Sequence, residues 1–129
     1  MMTKIPTILV VDDEKDFCHF ARFNLEISGR YKVHTANTGQ RALELAVKIT
    51  PDLILLDIMM PEMDGFEVLR ALKESLQTAA IPVVMLTALE QDIPRILAGQ
   101  GYAQDYLVKP IRSTDLMAKI EDTLAFRRP

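Results

Sequence analysis

Four short stretches carry the residues with the most chemical potential: Asp12-Asp13-Glu14, Asp57, Thr87 and Lys109-Pro110. Each follows or closes an apolar run: residues 8–11 before Asp12, 53–56 before Asp57, 82–86 before Thr87 and 105–108 before Lys109. Carboxylates gathered to about 5 Å repel by roughly 3 kcal/mol per pair at an effective dielectric of about 20. One lysine does not cancel three such charges. A hard divalent cation does, and Mg²⁺ is normally held by one or two carboxylates with water and phosphate oxygens completing its shell. Thr87 supplies a hydroxyl donor, and Lys109 a mobile point charge suited to a phosphate oxygen. The chain has no Gly-x-x-x-x-Gly-Lys-Ser/Thr loop to cradle a nucleotide. A phosphoryl group must therefore be brought by another molecule, or be accepted by the protein itself. A carboxylate is a competent acceptor, forming an aspartyl phosphate. Asp57, which ends its own apolar run opposite the acidic pair, is the best candidate.

The elements that must position these residues are legible as periodicities. Residues 8–11, 53–56 and 82–86 are apolar without alternation, as strands buried on both faces of a parallel sheet are. Lys32 to Ala36 alternates, as an edge strand does, and Asp105 to Val108 makes a fifth strand. Between them lie helical stripes. The first is Phe17, Phe20, Ala21 and Leu25, ended by Gly29. The second is Ala42, Leu43, Ala46 and Val47, capped by Asn37 or Thr38. The third is Phe66, Leu69, Leu72 and Leu76, and the fourth a weaker Ile93, Ile96 and Leu97 with Pro94 in the first turn. The last is Leu116, Met117, Ile120 and Leu124, with Ser113 as N-cap. Strict strand–helix alternation predicts an α/β doubly wound domain, a parallel sheet with helices on both faces and right-handed crossovers. In such sheets ligands bind beyond the carboxyl ends of the strands, which is where the four polar stretches stand.

Composition narrows the classes. The chain has 129 residues, 49% hydrophobic and 26% charged, so residues 1–129 read as one domain and not as a disordered chain. Its formal charge of −3 argues against a nucleic-acid surface. No apolar run approaches the roughly 20 residues of a membrane span, and Met1 to Pro6 has no signal-peptide core. The single cysteine, Cys18, excludes an intrachain disulfide and suits a reducing, cytoplasmic setting. It is expected to pack as a small apolar residue. His19 and His34 have no partners suggesting a metal site.

Taken together, residues 8–14, 53–65 (Leu-Ile-Leu-Leu-Asp57-Ile-Met-Met-Pro61-Glu-Met-Asp64-Gly65), Val-Met-Leu-Thr87-Ala88 and Asp-Tyr106-Leu-Val-Lys109-Pro110 resemble the receiver domain of bacterial two-component response regulators. The chain is similar to the chemotaxis-type single-domain receivers, over a core of about residues 6–126. The resemblance implies a flavodoxin-like (βα)5 fold, with five parallel strands in the order 2-1-3-4-5 flanked by five helices. Asp57 is then the phosphoacceptor. Asp12, Asp13, Asp57 and the backbone carbonyl of Met59 hold Mg²⁺, with Mn²⁺ as a substitute, and Thr87 and Lys109 bind phosphoryl oxygens. Thr87 and Tyr106 form the switch, and Met59, Ala88 and Leu89 set access to the phosphate. The Lys109-Pro110 peptide is cis. The phosphoryl donor is a phosphohistidine of a histidine kinase or phosphotransfer protein, and the face of the fourth helix, fifth strand and fifth helix provides output to an unknown target. No membrane or direct nucleic-acid contact is expected, and the state is a monomer or a phosphorylation-favoured homodimer. The protein catalyses its own phosphorylation and dephosphorylation without being an enzyme on another substrate. Apolar Met59 and Leu89 suggest slow to intermediate loss of phosphate.

Gly99, Gly101 and Tyr102 depart from the family's commonest pattern and touch the fourth helix and its exit. Other readings stay open. A receiver excised from a longer transcription factor or hybrid kinase has the same residues. A Mg²⁺-dependent phosphohydrolase generally needs a carboxylate two residues after the nucleophile, where Met59 stands. A flavin binder needs a Ser/Thr/Gly phosphate loop where Asp12-Asp13-Glu14 stands. A pseudo-receiver acting only as a binding module is disfavoured by the intact Asp13, Asp57, Thr87 and Lys109 set.

Overall fold

The computed structural model describes residues 4–98 and 103–127. Five strands, β1 (Thr7–Val11), β2 (Lys32–Ala36), β3 (Leu53–Asp57), β4 (Val83–Thr87) and β5 (Asp105–Val108), form one parallel sheet in the order β2-β1-β3-β4-β5. The helices are α1 (Lys15–Ile27), α2 (Gly39–Ile49), α3 (Gly65–Glu74), α4 (Ile93–Ala98) and α5 (Ser113–Arg127), and a 3₁₀ turn, Glu90–Asp92, leads into α4. Gly99, Gly101 and Tyr102 lie outside the described residues.

Strand side chains alternate between two cores, as the pleat requires. Ile8, Val10, Leu53, Leu55, Val84 and Leu86 pack with Cys18, Ala21 and Leu25 of α1 and Leu116 and Ile120 of α5. Leu9, Val11, Ile54, Leu56, Val83 and Met85 pack with Ala42, Leu45 and Ala46 of α2, Val68, Leu69 and Leu72 of α3 and Ile96 of α4. Burial on both faces explains why β1, β3 and β4 lack alternation.

Local signals set most helix ends. Thr38 caps α2, its hydroxyl accepting from the Arg41 N–H at 3.1 Å. Gly29, at φ +76°, ends α1 in a left-handed conformation that costs glycine little. Asp64 and Glu67 form a reciprocal capping box on α3, a signal present in the sequence as Asp-x-x-Glu.

Four expectations need correction. Leu97 is 51% exposed, because it lies about 100° around α4 from the buried Ile96. Leu76 is 100% exposed and lies beyond α3. The chain leaves the helix at Ser75, where Thr78 Oγ1 donates to the Leu72 carbonyl at 2.6 Å and the Lys73 ammonium to the Ile81 carbonyl at 2.7 Å. Val47 is 44% exposed, and Leu45 takes its place in the core. At 100° per residue Val47 lies about 140° around the helix from Ala42, whereas Leu45 lies about 60° away. Ser113 is the first residue of α5 and not its cap, because the Leu116 N–H donates to the Arg112 carbonyl.

Gly65 lets α3 start directly beneath the end of β3. A Cβ there would press on the Asp57 carbonyl oxygen and stand 2.8 Å from Ile58 Cα, both backbone atoms that no rotamer change can move. At Gly39 the closest atoms, 2.8 Å and 2.9 Å away, are the side-chain ends of Val68 and Met63. Gly65→Ala should therefore destabilise the fold by about 2–4 kcal/mol and Gly39→Ala by less than half as much. Urea unfolding of the two variants checks the order, and equal losses would refute it.

Candidate functional site

The parallel registers bring the polar strand ends together. Val11 pairs with Leu56, and Asp57 with Leu86, so Asp12, Asp57 and Thr87 arrive at one edge of the sheet. Thr87 pairs with Val108, which places Lys109 one residue beyond it, and the Lys109 N–H donates to the Thr87 carbonyl at 2.7 Å. The Lys109-Pro110 peptide is cis.

Asp12 is fully buried and fully bonded. Its Oδ1 accepts from the Glu14 N–H at 2.9 Å and its Oδ2 from Lys109 Nζ at 2.6 Å. Its carbonyl accepts from Asn37 Nδ2 at 2.9 Å and from the Cys18 thiol at 3.4 Å. Lys109 also lies 3.1 Å from Glu14 Oε1 and 3.4 Å from Asp57 Oδ1, with its ammonium 4.6 Å from the centre of the Phe17 ring. One ammonium thus serves three carboxylates and an aromatic face.

Asp12, Asp13 and Asp57 each offer a carboxylate oxygen within 4.8 Å of the others, with Asp13 exposed to solvent and the other two buried. This donor set is all oxygen and outnumbers its single nearby cation in charge. It fits a hard divalent cation such as Mg²⁺ and suits soft metals poorly.

Around the rim, Met59 is 60% exposed, Leu89 is 37% exposed, and Ala88 is also at the surface. Tyr106 is half-buried against the α2–α4 core. The Thr87 hydroxyl accepts from the Leu89 N–H at 3.0 Å and faces the Leu89 carbonyl at 2.9 Å and Asp92 Oδ2 at 3.0 Å. Asn37, Phe17 and Asp92 were not singled out by sequence as partners of the site, and Glu14, read as one of its acidic residues, was not paired with Lys109. Asn37 stands 25 residues from Asp12 and Lys109 stands 95 from Glu14, so no local pattern links them. Only Asp92, five residues past Thr87, carries a short-range signal.

The family described as response regulator receiver domain matches residues 8–121. The chain is 41% identical over 120 residues to the DNA-binding dual master transcriptional regulator RpaA of Synechocystis sp., covering 93% of this chain and 49% of that protein. It is 40% identical over 117 residues to the alkaline phosphatase synthesis transcriptional regulatory protein PhoP of Bacillus subtilis, covering 91% and 48%. The chain spans about half the length of these curated relatives. Among solved structures, the chemotaxis protein CheY4 of Vibrio cholerae superposes with a TM-score of 0.85 at 30% identity, covering 93% of this chain and 99% of that one. Among the described residues, no helix is long and apolar enough to cross a membrane.

Burial and the neighbouring charge of Asp12 push the Asp57 carboxyl up to about 7. Burial also raises Asp12, although Lys109 opposes it. For Lys109, burial works against the charged form, but the hydrogen bond to Asp12 and the charges of Asp57 and Asp12 hold it above the ordinary lysine range. The Cys18 thiol is pushed up to about 11 by burial and by Asp12, which leaves it a packed, unreactive group. Asp57 sets a pH dependence with a definite sign. Between its unfolded value near 4 and its folded value of about 7, the native state keeps a proton that the unfolded state releases. Stability therefore falls as pH rises through that window, whereas Lys109 stays charged throughout it. In chelator, the melting temperature should be lower at pH 8 than at pH 5. Asp57→Asn should flatten the profile and stabilise the protein at pH 8 by about 2–4 kcal/mol, or several degrees. Thermal melts at both pH values check this, and a wild-type profile that rises with pH would refute it.

Proposed function

The chain belongs to the response regulator receiver family of two-component signalling, and on that premise we propose that it is a phosphoryl-accepting switch with Asp57 as acceptor. The observation that supports this most directly is the convergence of Asp12, Asp13 and Asp57 within 4.8 Å, with the Lys109 ammonium 3.4 Å from Asp57.

In this reading, an Asp57 carboxylate oxygen attacks the phosphorus of a phosphohistidine on a histidine kinase or phosphotransfer protein. The new O–P bond forms as the P–N bond breaks, and the imidazole nitrogen leaves with that electron pair. Asp57 must be ionised to attack, yet on its own it is half-protonated near neutral pH. Asp12, Asp13, Asp57 and the Met59 carbonyl would hold a Mg²⁺ ion, which would supply positive charge favouring the ionised acceptor and offsetting that of the incoming phosphoryl oxygens. Lys109, already pre-positioned by Asp12 and Glu14, neutralises one phosphoryl oxygen, and the Thr87 hydroxyl donates to another. Asn37 and the buried thiol of Cys18 fix the Asp12 backbone so that its carboxylate does not drift.

The added phosphate brings about −1.5 to −2 charge and biases a switch involving Thr87 and Tyr106 without building a new fold. Exposed, apolar Met59 and Leu89 offer no hydrogen bond to an attacking water, with small Ala88 beside them, so the phosphate is lost slowly or at an intermediate rate. Residues 1–129 act as one receiver unit with its core at about residues 6–126. Its output passes through α4, β5 and α5, either to a separate target, as in a chemotaxis-type receiver, or within a longer regulator, in line with the names of the two transcriptional regulators it resembles.

Incubation with acetyl phosphate and Mg²⁺ should add one phosphoryl group (about 80 Da) by intact mass, absent in chelator and in Asp57→Asn. Lys109→Ala should slow the gain by about 10²–10³-fold. A folded wild-type protein that gains no mass, and binds no beryllofluoride with Mg²⁺, would overturn the proposal.

A further inference from the structure

The Thr87 hydroxyl has a single hydrogen to donate and faces two acceptors, the Leu89 carbonyl at 2.9 Å and the Asp92 carboxylate at 3.0 Å. The Leu89 N–H fills its acceptor side at 3.0 Å, and the Asp92 N–H returns to the Leu89 carbonyl at 3.0 Å. The last residue of β4 and the residue that precedes α4 are therefore tied through one hydroxyl group. Asp92 is half-buried and lines a cavity of about 400 Å³ together with Met59, Met60, Phe66 and Arg95. The cavity gives its side chain room to move, and Arg95, three residues on, lines the same space as an alternative partner for a released carboxylate.

We propose that Asp92 is a positioning residue that holds the Thr87 hydroxyl in the unphosphorylated protein, so that phosphorylation must break the Thr87–Asp92 hydrogen bond and thereby frees the start of α4. The inference rests on the phosphoacceptor reading of Asp57. A hydroxyl bonded to a carboxylate cannot at the same time donate to a phosphoryl oxygen. The two anions compete for one proton donor, and the charge on the phosphoryl group further repels the Asp92 carboxylate. Each phosphoryl-binding event is then weakened by the fraction of molecules in which Asp92 retains the hydroxyl. The same exchange couples the site to α4, because Asp92 closes the 3₁₀ turn that leads from β4 into that helix.

The test measures beryllofluoride affinity, with Mg²⁺ present, in the wild type, Asp92→Asn, Asp92→Ala, Thr87→Ala and the Thr87→Ala/Asp92→Ala pair. It adds hydrogen exchange of residues 89–98 in the unphosphorylated proteins. Asp92→Ala should bind the phosphoryl mimic roughly 3–10-fold more tightly than wild type, and exchange over residues 89–98 should rise. Asp92→Asn, which keeps an acceptor but not the charge, should fall between the two. In the Thr87→Ala background the gain should shrink to about twofold or less, because the shared hydroxyl is gone. A purely structural role at the start of α4 would raise exchange without tightening the mimic, and that outcome would overturn the proposal. So would a gain that persists in full without the Thr87 hydroxyl. If wild type and variants alike bind no beryllofluoride and accept no phosphoryl group from acetyl phosphate, the phosphoacceptor reading itself is overturned, and the role of Asp92 with it.

Discussion

The structure is organised around one electrostatic constraint: two buried carboxylates, Asp12 and Asp57, share a single ammonium with exposed Glu14. Charges taken out of water are tolerated only when geometry and hydrogen bonds are held closely. Asp12 meets that demand with a backbone N–H on one oxygen and Lys109 on the other. Asp57 meets it less completely, and its carboxyl is pushed up to about 7 by burial and by Asp12. Asp57 is thus the least settled member of the group, which suits the acceptor role proposed for it.

Such a cluster needs a rigid frame. β1 and β3 lie at the centre of the sheet and are buried on both faces, so the ends that carry Asp12 and Asp57 have little freedom. Gly65 removes the last side chain that would push α3 off the end of β3. The opposite side of the site is built differently. β5 is an edge strand only partly buried, and α4 has six residues with Ile96 as its buried anchor. Lys119 secures β5 to α5 through Asp105 at 2.7 Å, and Arg95 sits 3.9 Å over the Phe66 ring between α4 and α3. The site therefore joins a stiff half that fixes the carboxylates to a half in which, among the described residues, the 3₁₀ turn and α4 bury Ile96 alone. Local stability follows the density of buried apolar contacts, so the charge of a phosphoryl group would act first on the second half.

Where expectation and structure diverge, the divergence is local. Val47 and Leu76 fit apolar stripes in the sequence but lie exposed, one rotated away from the sheet and the other beyond the helix end. Ser113 fits a cap and sits one residue inside its helix. Short apolar spacings admit neighbouring registers, and the packed sheet selects among them.

From the sequence alone came the strand–helix alternation, the two-sided burial of the central strands and the placement of Asp12, Asp13, Asp57, Thr87 and Lys109 at strand ends. Those follow from side-chain period and turn chemistry, which are properties of adjacent residues. The capping box of Asp64 and Glu67 was equally local and could have been read. What only the tertiary structure decided is which groups hold which. Glu14 and Phe17 on the lysine, Asn37 on the Asp12 carbonyl and Asp92 on the Thr87 hydroxyl depend on hydrogen-bond geometry to a few tenths of an ångström. That geometry is set by the parallel register and the packing of helices onto the sheet, and apart from the short Thr87-to-Asp92 spacing no pattern along the chain signals these pairings.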